Sequence, residues 1–90
     1  MKENIMIIHP GDNVAVALRM LAVGEQAIAK GIEGFPALED IPASHKIALR
    51  DISKGEEIIK YGETVAVSIH DIKKGEWVHT HNLESKRWKI

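Results

Sequence analysis

A chain of 90 residues, 44% apolar and without cysteine, describes one small domain with a thin core; a disulfide frame and a thiolate metal site are excluded. Twelve Lys and Arg against thirteen Asp and Glu, for a formal net charge of −1, exclude a general pull toward nucleic acid or an acidic membrane surface. So short a chain encloses little volume, so a partner chain or a homo-oligomer is expected, and with no signal-like or membrane-length apolar run the expected location is the cytoplasm.

Ile5 to Ile8 is a short apolar run ended by His9-Pro10-Gly11, the pattern of a strand entering a turn. Asp12-Asn13 opens the next segment, in which Val14, Val16 and Leu18 alternate, and alternation predicts a strand with these three on one face. The interspersed alanines also suit a helix capped by Asp12; the repeat below favours the strand. The stretch from Lys30 to Pro42, with Gly31, Gly34, Pro36 and Pro42, reads mostly as loop. The second half repeats. Ile47 to Ile58 and Val67 to Val78, twenty positions apart, each read as strand, Asp-Ile-x-Lys-Gly-Glu turn, strand. A weaker copy, Val16 to Glu25, lies thirty-one positions before the first. The Gly supplies the positive φ of the turn and the Ile plugs it into the core. The expected core is Ile7, Val16, Leu18, Ile47, Leu49, Ile52, Ile58, Val67, Ile69, Ile72 and Val78. Three copies at this spacing predict a compact, mainly β domain and not a solenoid.

The Asp-Ile-x-x-Gly-Glu turn followed by a short strand resembles the SAF domain, which has the β-clip fold. Four segments follow in order: Asp12 to Leu18, Ile41 to Ala48, Lys60-Tyr61-Gly62-Glu63, and Gly75-Glu76-Trp77-Val78-His79-Thr80-His81-Asn82-Leu83. Together they are similar to the N-terminal domain of the altronate and galactarate dehydratase family. The resemblance implies a single SAF-like domain over residues 1–90, mainly β with short helical turns. Family members carry this domain fused to a large catalytic domain or as a separate small subunit, and the end at Ile90, soon after the last motif, points to the separate form. The small subunit of (2R)-sulfolactate sulfo-lyase resembles the same domain and is the alternative reading; a non-catalytic SAF module that binds a carbohydrate or other ligand is the third. Two positions depart from the family pattern: Ser44 stands where Gly is usual, and Val65-Ala66-Val67-Ser68 where Ile-Gly-x-Ala is frequent. Both bear on how closely a ligand approaches, not on the fold.

His79-Thr80-His81 is the strongest chemical signal, because residues i and i+2 of a strand share a face and two imidazoles there can ligate a divalent metal. Two exposed histidines on an edge strand have the same spacing. Removing water from a sugar acid needs a base beside the carboxylate, an acid for the departing hydroxyl and stabilisation of the enediolate. The resemblance implies a hydro-lyase and places His79, His81 and His45 in its active site, with His79 and His81 either as ligands of a divalent metal, iron or manganese, or as acid and base groups. It makes Lys46 and Lys60 cations for the substrate carboxylate, and Asn82, Asp12 and Asn13 polar contacts to substrate; each of the last three also suits the closing of a turn. Tyr61 suits packing with its hydroxyl toward solvent, Trp77 the core, Trp88 a partner interface, and His9 and His70 the surface. The expected protein is a sugar-acid dehydratase small subunit, inactive alone, whose site a large catalytic subunit completes.

Overall fold

The computed structural model describes residues 2–79 and 81–85. The expectation for Trp88 lies outside them, as does the middle residue of the His-x-His segment. Among the described residues the chain forms short strands and no helix. They are β1 (Ile5–Met6), β2 (Val14–Ala17), β3 (Gln26–Ala27), β4 (Phe35–Pro36), β5 (Lys46–Ala48), β6 (Glu57–Lys60), β7 (Glu63–Ser68), β8 (Trp77–Val78) and β9 (Leu83–Ser85). The mainly β expectation holds. The short helical turns are instead single turns, each stopped at once by a residue of positive φ. Among the described residues no helix is long and apolar enough to cross a membrane.

The strands make an antiparallel sheet of order β1-β2-β5-β8, a β3-β4 pair and a β6-β7-β9 sheet. The turns join them in two matched pairs. Ile52 and Ile72 exchange backbone hydrogen bonds of 2.8 and 2.7 Å, and Leu21 and Ile41 exchange bonds of 2.9 and 2.8 Å. All four plugs are buried. Ile41-Pro42-Ala43-Ser44-His45 is therefore a fourth copy of the turn, thirty-one positions before Ile72 as Leu21 is before Ile52. The Gly amides confirm the duplication: Gly24 donates to Ala37 O and Gly55 to Ser68 O, while Ser44 donates to Ala17 O and Gly75 to Ala48 O. Ser44 takes the glycine's role with φ of 70°. Aspartates staple turns to each other, Asp51 accepting from Lys74 N at 2.9 Å and Asp71 from Lys54 N at 2.8 Å.

The four-stranded sheet has apolar cover on both sides. Ile5, Ala15, Ala17 and Ile47 join Leu21, Ala27, Phe35, Ala37 and Ile41 in one cluster. Val14, Ala48 and Val78 join Ile52, Ile58, Ala66 and Ile72 in the other. Of the expected core, Ile47, Ile52, Ile58, Ile72 and Val78 are buried, Ile7 and Leu49 pack at its margin, and Val16 and Val67 are half-buried. Leu18 and Ile69 are corrections, 53% and 37% exposed. Strand β2 lies between the two clusters, so it buries Val14 on one side and Ala15 and Ala17 on the other, where small side chains let the layers approach. Leu18 falls past its end, as Ile69 falls past the end of β7.

Candidate functional site

The fourth turn explains how a histidine reaches the start of β5. In the other three copies a glutamate carboxylate accepts from the amide three residues earlier: Glu25 from Ala22, Glu56 from Ser53 and Glu76 from Lys73, at 3.0, 2.9 and 2.8 Å. The fourth copy has Pro42 at the amide position, and proline has no N–H to cap. The glutamate position is released from that duty and carries His45.

Trp77 gathers the imidazoles. It opens β8 opposite Ile47, on the same side of the sheet, and packs at the margin of the first apolar cluster. Its Nε1 donates to His45 Nδ1 at 3.1 Å. Its ring lies nearly parallel to His79, 7° apart at 5.4 Å between centroids, with His81 tilted at 5.0 Å. His45 and His79 stand 4.6 Å apart. Trp77, expected as plain core, is thus the centre of the site; β8 ends at Val78, so His79 stands in a bend and His81 in a turn, and the turn closed by Asn82, not the strand face expected of His-x-His, brings them back to Trp77.

Lys46 and Lys60 form a second group. Lys46 pairs with Val78, so it leaves β5 on the side opposite Ile47 and the imidazoles. Burial first and the Lys60 charge second push its ammonium below the ordinary lysine range. Lys60 Nζ lies 5.1 Å from the centre of the Tyr61 ring, whose residue is largely exposed. The two groups meet electrostatically at His79. Desolvation lowers its proton affinity most, followed by the charges of His45, Lys46 and His81. The structure thus brings His45, His79 and His81 together and sets Lys46 across β5 from them, with Lys60 of β6 acting on Lys46. The imidazoles and ammonium groups outnumber the nearby carboxylates, Glu39 and Asp12, which accept from the backbone amides of Trp77 and of Tyr61 and Gly62, and that excess favours an anionic ligand.

Asn82, Asp12 and Asn13 are buried and spend their polar atoms on backbone. Asn82 accepts from His79 N at 2.9 Å and donates to Trp77 O at 2.7 Å, clamping the turn that carries the histidines. Asn13 accepts from Ile59 N and donates to Glu57 O, both at 2.8 Å, fastening β2 to β6. Asp12 accepts from His9 N, Tyr61 N and Gly62 N at 3.1, 3.0 and 2.8 Å, closing the turn next to Lys60. His9 and His70 are exposed, as expected.

Among the described residues no group of three or more His, Cys, Asp or Glu side chains is arranged to hold a metal ion. The neighbours of His79 are the Trp77 indole, the His45 imidazole, whose Nδ1 accepts from that indole, and the Lys46 charge, and no carboxylate among them completes a ligand set for a dication. A cavity of about 200 Å³ beside β1, lined by Ile5, Met6, Leu18 and Ala29 among others, takes in none of these residues.

The sequence matches the altronate/galactarate dehydratase SAF domain over residues 3–86. It is 40% identical to altronate dehydratase of Bacillus subtilis over 83 residues, which is 92% of this chain and 16% of that protein. It is 43% identical to altronate dehydratase of Escherichia coli over 78 residues, 87% of this chain and again 16% of the relative. It is also 44% identical to the (2R)-sulfolactate sulfo-lyase subunit alpha of Paracoccus pantotrophus over 52 residues, 58% of this chain and 78% of that subunit. The chain thus spans about a sixth of the dehydratases it matches, and most of the sulfo-lyase subunit. With the match covering nearly all of it, the chain belongs to the SAF-domain family of the altronate and galactarate dehydratases.

Proposed function

We propose that this chain is the small subunit of a hydro-lyase that removes water from a sugar acid, in a site that a large catalytic subunit completes. The observation that carries the reading is the convergence of His45, His79 and His81 on Trp77, beside Lys46 and Lys60, in a family whose relatives are named dehydratases. Elimination requires one group to take the proton next to the carboxylate and another to protonate the departing hydroxyl. His79, with its proton affinity lowered, is neutral at pH 7 and suited to take that proton. His81 is exposed and suited to the second transfer. Lys46 and Lys60 hold the carboxylate. Asn82 and Asp12 position these residues through the backbone. A divalent metal in the assembled enzyme would draw ligands from the large chain, since the described residues of this one do not complete a set. An open surface on a 90-residue domain leaves a bound substrate in contact with water on its uncovered side, which weakens each electrostatic contact, so the chain alone turns over nothing.

A second reading has its own support. The chain covers 78% of a sulfolactate sulfo-lyase subunit, and sulfite is a leaving group in an analogous elimination. One experiment separates the two. The chain is tagged, purified with the large lyase chain it captures, and supplied with sugar acids or with sulfolactate. Keto-acid formation from a sugar acid supports the first reading. Sulfite release from sulfolactate selects the second, and binding by the chain without turnover by any complex overturns both.

A further inference from the structure

We propose that Trp77 is a positioning residue that fixes His45 as its Nε2–H tautomer, making His45 a neutral hydrogen-bond donor toward the oxygens of an anionic substrate. An indole N–H only donates, so the ring nitrogen 3.1 Å from Trp77 Nε1 is an acceptor. That nitrogen is His45 Nδ1, and in the neutral imidazole the proton then resides on Nε2. The lone pair of Nδ1 is occupied, so His45 offers its surroundings a donor at its other nitrogen.

Trp77 is held firmly enough to impose this choice. Its backbone N donates to Glu39 Oε2 at 2.9 Å and its carbonyl accepts from Asn82 Nδ2 at 2.7 Å. Its ring is stacked on His79 and packed against the first apolar cluster. Apolar cover and stacking alone are met by phenylalanine; the aimed N–H is what only tryptophan adds here. The arrangement divides the labour among the histidines, since His79 and His81 touch the indole ring and not its N–H. A fixed donor of this kind stabilises a carboxylate or enediolate oxygen with no proton changing hands. That placement on substrate rests on the hydro-lyase reading; the tautomer itself does not.

The test is two-bond nitrogen–proton correlation NMR on the chain with 15N-labelled histidine, at about pH 8.5, where imidazoles are neutral. The wild type is expected to show an unprotonated Nδ1 and a protonated Nε2 at His45, with a coupling across the hydrogen bond from Trp77 Nε1. Trp77→Phe is expected to lower the tautomer preference roughly fivefold, the ratio that a net hydrogen bond supports. A proton on Nδ1 in the wild type overturns the proposal, as does the same tautomer ratio in a folded Trp77→Phe chain. If the variant fails to fold, the wild-type spectrum alone decides. In the assembled lyase, a roughly tenfold fall in kcat for Trp77→Phe with assembly intact supports the placement on substrate. An unchanged kcat beside a changed tautomer ends the placement and leaves the tautomer assignment standing.

Discussion

Asn82 and Trp77 decide where the histidines stand, and neither is a reacting group. The Asn82 amide spans from Trp77 O to His79 N, so it ties the end of β8 to the segment that follows. Replacing Asn82 by Ala leaves a buried amide and a carbonyl without those partners, at a cost of about 1–3 kcal/mol. We expect a lower urea midpoint and a loss of the ring contacts among His45, His79 and Trp77, read from nuclear Overhauser effects. Unchanged contacts in a stable Asn82→Ala chain would contradict the clamp. His79 makes a prediction about pH. Its native proton affinity lies below the ordinary value of 6.5, through desolvation first and neighbouring charges second. Between the two values the unfolded chain binds more protons than the native one, so stability rises with pH across that window and falls as pH drops from 6.5. A His79 titration midpoint above 6.5 would remove the basis for its role as a base. At this scale the histidines were legible from His-x-His and from motif position. The tryptophan was not, because an aromatic beside apolar residues reads as core, and the turn that folds His79 and His81 back onto it follows no strand period.

The turn is the element on which the fold is built, and its four copies differ in instructive ways. Three were legible, because glycine, glutamate and the apolar plug recur at fixed offsets. The fourth was hidden because Pro42, Ser44 and His45 replace the residues that mark the others, although Ile41 keeps the plug. Ser44 holds a φ of 70°, which costs an L-residue about 1–2 kcal/mol, while glycine there costs some added freedom in the unfolded chain. Ser44→Gly is therefore expected to raise stability by about 0.5–1 kcal/mol in thermal unfolding; a destabilised variant would show that the Ser44 side chain is needed. The glycines are also unequal. A Cβ at Gly75 meets Pro36 O at 2.5 Å, whereas one at Gly24 meets nothing, and both residues have positive φ. Gly75→Ala should cost about 3 kcal/mol or more and Gly24→Ala about 1–2 kcal/mol. Equal losses in parallel denaturation curves would mean that the β4 segment yields freely. Strand β2 was misread for a related reason. Alternation identifies one buried face, and a strand lying between two clusters has two, with alanines marking the second.

At the scale of the whole molecule, two apolar clusters flank one sheet, and the chemical groups gather where β5 and β8 begin and end. Lys46 leaves β5 on one side, with Lys60 of β6 near it in charge, and the imidazoles gather round Trp77 on the other, so a substrate touching both reaches around β5 and is enclosed by this domain on only part of its surface. The chain spans 16% of the altronate dehydratases it matches, and the proposed function assigns the remaining walls of the site to a large subunit. Mainly β architecture and family were legible from motif order. The split between lysines and imidazoles was not, because Lys46 and His45 are adjacent in sequence and adjacency in a strand means opposite faces. The central claim is that this domain supplies chemistry, not only assembly, to a two-chain lyase. The most direct measurement is keto-acid production by the complex of small and large chains, wild type beside His81→Ala, with assembly followed by pull-down. The account predicts that His81→Ala assembles normally and loses turnover by roughly 10²-fold or more. A complex carrying His81→Ala at full rate, or full activity from either chain alone, would contradict it.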